Sequence, residues 1–270
     1  MNDEATASNT VANASTQSGT APDRPRVAVF RPDDDRLAEA VSLLEDLGVE
    51  PIPDPMLAVE STGNVPRSDA EYAILTSKTG AELAAEAGWE PGDATVCAIG
   101  PATAAAMEAV GYTVDLVPDE YTSSGLVATL TDELDLEGAT VEVARSDHGS
   151  QVLLSGLAEA GAEVHETVLY RLVLPDASGN SVDLAADGDL EAACFTSSLT
   201  VEHFLETAAE RELADAVRRG LEGAVVGVIG EPTRETIASH GIEPDVVASE
   251  ATFEALARET VERLERRREK

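Results

Sequence analysis

Apolar and polar residues along this chain alternate in short blocks that predict β-strands, each followed by an amphipathic helix. The run RVAVFRP, residues 26–32, is short, apolar and closed by a turn, as buried strands often are. The next stretch, DDDRLAEAVSLLEDLG, spaces its apolar residues three or four positions apart, starts with capping aspartates and ends at Gly48. This pattern of a strand and then a helix recurs to the end of the chain.

Two long stretches share the same order of predicted elements. Residues 95–130 and 225–261 each predict a strand, a glycine turn, a helix, a short strand, a turn and a second helix. A gap-free offset of 130 positions, regular enough to indicate an internal duplication, relates four pairs of identical residues. These pairs are Gly100 and Gly230, Thr103 and Thr233, Gly111 and Gly241, and Thr122 and Thr252.

The segments that precede these stretches also correspond. Residues 140–175 follow the pattern of residues 26–60, and the Thr-Ser pair at 76–77 corresponds to the pair at 196–197. The segment VEPIPDPMLAVE is broken by prolines and predicts a connection rather than a central strand, and residues 178–188 predict a polar connection. Because strands alternate with helices in each half, we expect an α/β protein with parallel sheets and helices on both faces.

Sheets of this kind bind ligands beyond the carboxyl ends of their strands, beside helix N-termini. The segments predicted to lie there are rich in hydroxyl and amide groups and match no nucleotide-binding glycine motif. These segments are residues 31–32, 76–77, 100–103, 145–146, 196–197 and 230–233.

The charge balance narrows the possible partners. The chain carries 52 acidic and 18 basic residues, a net charge of −34, with the acid spread along its whole length. Such a distribution is typical of a cytoplasmic protein from a salt-rich cell, where molar salt shortens the Debye length to about 3 Å. Without a basic patch, binding to nucleic acid or to an anionic membrane is disfavoured. Residues 1–24 are polar and predict a disordered tail without the features of a secretory signal.

The residue types that usually form metal sites or disulfides give no such signal here. Cys97 and Cys194 lie in apolar runs and predict two buried, reduced thiols. The four histidines share no metal-ligand spacing.

Taken together, these features resemble the uroporphyrinogen-III synthase family, over about residues 26–261. The resemblance rests on the turns ILTSKTG and CFTSSLT, the turns AIGPATAAAM and VIGEPTRETI, and the strand VHETVLYRLV. The stretch GYTVDLVPDEYTSSGLVATL also fits the family. No single motif is specific, but their order and the duplication make the match specific.

The resemblance implies two similar α/β/α domains with a substrate cleft between them. One domain would be discontinuous, formed by residues 25–54 and 174–270, and the other would comprise residues 55–173. The substrate would be hydroxymethylbilane, a linear tetrapyrrole, cyclised with inversion of the last ring and loss of water. Neither a metal nor a cofactor is implied. We expect a monomer, and a transient contact with the preceding enzyme of the pathway is left open.

Tyr170 is the candidate catalytic residue. A phenol keeps its proton at neutral pH and can donate it to a leaving hydroxyl group. In the family pattern, the tyrosine at this position is the one usually proposed for that role. The alternative is an aromatic residue that only packs in its strand near the crossing between the domains.

Seven further residues are candidates for binding the substrate, and each has a simpler alternative. Hydroxyl groups at predicted helix starts either cap the helix or bind substrate carboxylates. Cations at strand ends either pair with surface acids or balance the eight carboxylates of the substrate. The hydroxyl candidates are Thr103, Thr233, Ser77 and Ser197, and the cationic candidates are Arg31, Lys78 and Arg145.

The sequence leaves a second function open, in which the duplicated halves clamp a small anion without catalysis. An enzyme would lose rate on Tyr170→Phe while it keeps its ligand, whereas a binding protein has no rate to lose.

Overall fold

The computed structural model describes residues 24–269, which form two five-stranded sheets with helices around them. The tail predicted over residues 1–24 lies outside the described residues, apart from Arg24. Within them the strands are β1 (Arg26–Val29), β2 (Glu50–Pro53), β3 (Ala58–Ser61), β4 (Tyr72–Leu75), β5 (Thr95–Ala98), β6 (Thr140–Ser146), β7 (Glu163–Val173), β8 (Ala192–Phe195), β9 (Val225–Val228) and β10 (Val246–Val247). The helices are α1 (Asp35–Asp46), α2 (Lys78–Glu86), α3 (Pro101–Ala109), α4 (Ser123–Glu133), α5 (Gln151–Glu159), α6 (Asn180–Asp187), α7 (Ser198–Glu210), α8 (Ala214–Gly223), α9 (Glu231–Ser239) and α10 (Phe253–Arg268). No helix among these is long and apolar enough to cross a membrane.

Both sheets are built almost entirely from parallel strands. The first sheet has the order β10-β9-β8-β1-β2, and all its neighbours are parallel. The second has the order β3-β7-β6-β4-β5 and is parallel except for β3, which pairs antiparallel with β7. The prediction of parallel sheets is confirmed, with one antiparallel strand added at an edge.

The proline-broken segment after α1 forms more structure than the predicted connection. It contains β2, with Pro51 and Pro53, and β3, and each of these strands lies at the edge of its sheet. Edge strands tolerate proline because one side of the strand needs no hydrogen-bond donor. The prediction that this segment avoids the sheet centre is confirmed, and the prediction of a plain connection is wrong.

Apolar side chains on both faces of each sheet are covered by helices, as predicted. In β1, Ala28 packs in a core with residues of α6 to α9, and its neighbour Val27 packs in a core with residues of α1 and α10. In β4, Ala73 faces residues of α2 and α3, while Ile74 faces residues of α4 and α5. This alternation follows from the two-residue period of a strand.

Matching contacts occur at the offset of the sequence repeat. The carboxylate of Asp115 accepts a hydrogen bond from the backbone N–H of Val96 (2.8 Å), and Asp245 accepts one from Val226 (3.1 Å). The two aspartates and the two valines each lie 130 positions apart. By the repeat, β7-β6-β4-β5 in one sheet also corresponds to β2-β1-β8-β9 in the other. These contacts and this order are what a duplicated unit would produce.

The prediction of a polar connection at residues 178–188 is wrong, because that segment contains helix α6. The helix begins where the buried carboxylate of Asp54 accepts hydrogen bonds from the N–H groups of Gly179 (2.8 Å) and Ser181 (2.8 Å) and from the Ser181 hydroxyl. A carboxylate in this position satisfies N–H groups that a helix start leaves unpaired. Because this cap comes from 125 positions away, local sequence patterns do not contain it.

We expect Asp54→Ala to lower the free energy of unfolding by about 2–4 kcal/mol, since it removes a charged acceptor and leaves buried donors unpaired. Chemical denaturation at fixed salt measures the loss. Asp187→Ala, at the exposed end of the same helix, is the matched control and is expected to change stability little. An unchanged stability in the Asp54 variant would contradict this role.

A buried carboxyl group in the middle of the second sheet has no such partners. Glu142 on β6 is fully buried, and neither carboxylate oxygen accepts a hydrogen bond of good geometry within residues 24–269. His165 lies opposite it on β7, with Nδ1 3.1 Å from Oε2. Burial raises the pKa of Glu142, and Thr167, His165 and Arg67 oppose this shift only in part.

A raised pKa means that folding favours the protonated form of Glu142. The stability this group contributes is therefore complete below the pKa of the unfolded chain, about 4.3, and is lost as the pH rises through the higher folded pKa. Once the pH has risen above that folded pKa, the buried carboxylate destabilises the folded protein.

We expect Glu142→Gln to raise the Tm at pH 7.5 by about 2–4 °C, the shift that about 1 kcal/mol produces in a protein of this size. The gain should shrink as the pH falls toward 4. Thermal melts across this range at constant KCl measure it, with the exposed Glu163→Gln as a control of equal charge change. A lower Tm at pH 7.5 would instead mean that the pair with His165 stabilises the fold.

Candidate functional site

A cavity of about 180 Å³ lies at the carboxyl ends of the strands of the second sheet. It brings together three of the residues that the sequence singled out, Ser77, Arg145 and Tyr170. Most of its other lining groups are hydroxyls. The hydroxyl-bearing residues other than Tyr170 are Thr76, Ser77, Ser123, Ser146 and Ser150. The hydrogen-bonding groups expected from the sequence at this edge of the sheet are present among these side chains.

Several larger depressions lie elsewhere on the surface. One, of about 720 Å³, runs along charged residues of α10, and another, of about 320 Å³, lies between α7 and α8. Two more, of about 340 and 360 Å³, lie at the amino-terminal ends of β5 and β8. None of these lies at the carboxyl ends of strands, where parallel sheets bind ligands. The smaller cavity is therefore the candidate site.

A β-bulge brings Tyr170 into this cavity. Arg145 pairs with Val168 across the ladder, but the next residue, Ser146, pairs with Tyr170, so Leu169 is an extra residue in β7. Leu169 and Tyr170 consequently pack in the same core cluster, although neighbours in a regular strand point to opposite faces. The phenol of Tyr170 is almost entirely buried and donates a hydrogen bond to the Ser77 hydroxyl at 3.0 Å.

Ser77 both caps α2 and accepts the hydrogen bond from the Tyr170 hydroxyl. Its Oγ accepts a hydrogen bond from the N–H of Gly80 at 2.9 Å, as the sequence predicted for a helix N-cap. A serine hydroxyl can accept two hydrogen bonds and donate one. With both acceptor positions used, the Ser77 proton is left to donate to a bound molecule.

Arg145 is a buried, paired cation rather than an open counter-charge. Its side chain is 1% exposed, and its Nε donates to Glu166 Oε1 at 2.6 Å. Nη1 donates to the backbone carbonyl of Ser150, also at 2.6 Å. Nη2 donates no hydrogen bond to a residue in the described range. The sequence could not distinguish this arrangement from a free cation, because Glu166 lies on the neighbouring strand.

Gly149 makes room for this arginine. A Cβ atom at position 149 would lie 2.5 Å from Cδ of Arg145 and 2.8 Å from Nη1. Such distances are shorter than van der Waals contact, so any larger residue would push the arginine away from its partners. The signal in the sequence was the glycine three residues after the strand end, in RSDHGS.

We expect Gly149→Ala to displace Arg145 and to lower stability by about 1–3 kcal/mol, the usual cost of overpacking. Binding of substrate carboxylates should weaken in the same variant. The control is Gly223→Ala, where an added Cβ meets nothing within 4 Å. Equal denaturation midpoints for both variants would show that the contact with Arg145 does not matter.

One interpretation of the sequence was that Thr103 and Thr233 cap helices. In the structure neither residue is a helix cap. Each is the third residue of its helix, α3 or α9, and each side chain is buried. The residues at the N-cap positions are Gly100 and Gly230, whose backbone is extended. A role for the two threonines in binding substrate stays a prediction.

The remaining candidates lie away from the Tyr170 cavity lining. Ser197 caps α7 in a capping box with Thr200, and Arg31 lies over the ring of Phe253, 5.1 Å from its centroid. Burial lowers the pKa of Arg31, with the charge of Arg36 acting in the same direction. Ser197 and Arg31 follow strands of the first sheet, whereas Lys78 is exposed at the start of α2.

One aromatic residue at this edge of the sheet was missed by the sequence reasoning. All nine aromatic residues fall in the described range, and only Tyr121 is exposed, at 62%. It lies beside Gly100, where an added Cβ would come 3.2 Å from Cβ of Tyr121. Residues on either side of this contact, Ile99 and Ser123, line the cavity.

The cysteines take no part in this site. Cys97 and Cys194 are free and buried, as predicted, and burial raises the pKa of both thiols to about 12. Both are therefore protonated at neutral pH.

Comparison with known proteins identifies the family. The family model described as uroporphyrinogen-III synthase HemD matches residues 37–258. The chain belongs to the uroporphyrinogen-III synthase family. A protein of Methanothermobacter thermautotrophicus with a provisional assignment to this enzyme is 37% identical over 233 residues, which cover 80% of this chain and 90% of that protein. The uroporphyrinogen-III synthase of Chlorobaculum parvum is 25% identical over 154 residues, 56% of this chain and 59% of that protein.

Solved structures of this family share the fold. A mutant uroporphyrinogen III synthase from the extremely thermophilic bacterium Thermus thermophilus aligns with a TM-score of 0.64 at 20% identity, over 90% of this chain and 99% of that one. The enzyme of Helicobacter pylori aligns with a TM-score of 0.58 at 15% identity, over 88% and 99%. The resemblance read from the sequence is confirmed, and the non-catalytic alternative is not favoured.

Proposed function

We propose that this enzyme closes hydroxymethylbilane to uroporphyrinogen III at the cavity beside Tyr170. Membership of the family supplies the reaction class. The observation that carries the placement is the hydrogen bond from the buried Tyr170 hydroxyl to Ser77, inside a cavity at the carboxyl ends of parallel strands. This pair is a proton donor held in a partly dry site, which is what departure of a hydroxyl group requires.

The reaction requires a proton for the leaving hydroxyl group and a substrate that is held in one folded conformation. The C–O bond of the hydroxymethyl group breaks, and its oxygen takes a proton and leaves as water. The resulting cation is attacked by the substituted carbon of the last pyrrole, and rearrangement of that spiro intermediate inverts the ring before a proton is lost. Tyr170 supplies the first proton, the Ser77 hydroxyl can donate a hydrogen bond to the resulting phenolate, and the proton lost after ring closure restores the phenol.

The cavity is large enough for a substrate side chain, and the tetrapyrrole would extend beyond it. A carboxylate inside it would meet the Nη2 of Arg145 and the serine hydroxyls that line the walls. Because Glu166 already balances the arginine, such binding relies on directed hydrogen bonds more than on net charge. Holding the bilane folded in this way is a positioning effect, which can be worth about 7–11 kcal/mol.

The remaining predicted contacts fit a second binding edge on the first sheet. Strands β1, β2 and β8 to β10 form that sheet, and β3 to β7 form the other. This division supports two domains, residues 25–54 with 174–270 and residues 55–173, with a substrate cleft between them. Within that proposal the first sheet would bind other carboxylates through Arg31, Ser197 and Thr233, and Thr103 and Lys78 would act beside the Tyr170 cavity.

The proposal also covers the oligomeric state of the protein and the cell compartment in which it works. The acidic surface supports a monomer that works in the cytoplasm of a salt-rich cell, where screening reduces its repulsion from a polyanionic substrate. Analytical ultracentrifugation in molar KCl tests the monomer, and a stable dimer would contradict it.

We expect Tyr170→Phe to lower kcat by about 10- to 100-fold and to leave KM nearly unchanged, because it removes a proton donor and keeps the ring. Steady-state kinetics in molar KCl measure both constants. Tyr72→Phe, which removes a hydroxyl hydrogen-bonded to the Asp135 carbonyl, is the matched control. An unchanged kcat in the Tyr170 variant would remove this residue from the mechanism.

The function itself is tested by supplying freshly made hydroxymethylbilane to the purified protein and separating the oxidised porphyrin isomers. Isomer III in excess over the protein-free reaction is the expected result. Isomer I alone, at the protein-free rate and from a folded sample, would overturn the proposal.

A further inference from the structure

The position of Tyr170 depends on a strand whose regular pairing is interrupted. The bulge at Leu169 places Tyr170 opposite Ser146, the last residue of β6. Beyond Ser146 the β6 ladder ends, so the strand segment from Tyr170 onward has lost its regular partner on that side. A bulge aims a side chain only if the backbone on both sides of it is held.

Asp147, the first residue after β6, holds the backbone on the far side of the bulge. Its N–H donates to the carbonyl oxygen of Tyr170 at 3.2 Å. Its carboxylate Oδ1 accepts a hydrogen bond from the N–H of Leu172 at 3.1 Å. One residue thus binds β7 at Tyr170 and again two residues later, in place of the missing ladder.

The carboxylate is held in its accepting form by a second neighbour. Nδ1 of His148 lies 2.8 Å from the same Oδ1. Burial alone would raise the pKa of Asp147, but the hydrogen bonds from His148 and from the Leu172 N–H lower it. The group is therefore ionised in the pH range where the protein works, and it is an acceptor rather than a proton donor.

We propose that Asp147 is a positioning residue for Tyr170, fixing the bulged end of β7 so that the phenol meets Ser77 and the substrate. The proposal rests on the proposed function of Tyr170. Asp147 does not line the cavity, so it acts on the reaction through Tyr170 and not by contact with the reacting atoms.

The side chain and the backbone of Asp147 make separate contributions. Asp147→Ala keeps the N–H bond to Tyr170 and loses the contacts of the carboxylate with the Leu172 N–H and with His148. We therefore expect about a three- to tenfold loss of kcat, with KM changed less than twofold. Asp147→Asn retains an acceptor oxygen at the same place and is expected to stay within twofold of the parent enzyme.

A double variant separates positioning from general damage. If Asp147 acts through the Tyr170 hydroxyl, adding Asp147→Ala to Tyr170→Phe should lower kcat by less than twofold further. Full additivity of the two losses would overturn the proposal. So would an unaltered kcat in Asp147→Ala, or an Asp147→Asn variant as slow as the alanine one.

A measurement without substrate distinguishes failure of this proposal from failure of the proposed function. Tyrosine labelled with ¹³C at the ring carbon bearing the hydroxyl gives one signal for each of the four tyrosines, and Tyr170→Phe identifies the one in question. Asp147→Ala should shift the Tyr170 signal and leave that of Tyr72 in place, whereas Asp147→Asn should shift neither. An unmoved Tyr170 signal would contradict positioning even if the enzyme forms isomer III, and a shifted signal with no isomer III would contradict only the proposed function.

Discussion

The ion pair between the buried Arg145 and the partly exposed Glu166 organises the carboxyl end of the second sheet. Placing a guanidinium inside a protein is costly unless its charge is paired and its N–H groups have acceptors. Glu166 accepts a hydrogen bond from Nε of Arg145, and the Ser150 carbonyl accepts one from Nη1, each at 2.6 Å. Because these partners come from β7 and from the turn before α5, the arginine fixes the distance between them.

The candidate site depends on that distance. Arg145 is the last residue of β6 in regular register with β7, since the pairing shifts between it and Ser146. The bulge that turns Tyr170 toward Ser77 therefore begins where the arginine ties the two strands together. Gly149 completes the arrangement by leaving space for the guanidinium. The cavity, the phenol and the turn before α5 therefore all lie around one buried cation.

Local patterns predicted the fold well, because strands, helices and their caps depend mainly on residues that are close together in the sequence. Ser77 and Ser197 cap the helices where the sequence placed them, and the glycines at 100 and 230 precede their helices. What the patterns missed depends on contacts between distant segments. Asp54 caps α6 from 125 positions away, and Glu166 neutralises Arg145 from the next strand. The bulge at Leu169 depends on register, which the sequence of one strand does not contain.

A protein of net charge −34 can bind a polyanion because of the kind of hydrogen-bond donors at the site. Hydroxyl groups and the unpaired edge of a neutralised arginine recognise carboxylates by direction and do not require a positive surface. In molar salt the long-range repulsion between protein and substrate is screened within about 3 Å.

The central claim is that substrate binds at the Tyr170 cavity. A crystal structure of the protein with uroporphyrinogen III, grown without oxygen, tests it most directly. The account predicts a product carboxylate within hydrogen-bond distance of Arg145 Nη2 and a pyrrole ring next to the Tyr170 hydroxyl. Product bound only in the groove between α7 and α8, with the cavity left to solvent, would contradict it.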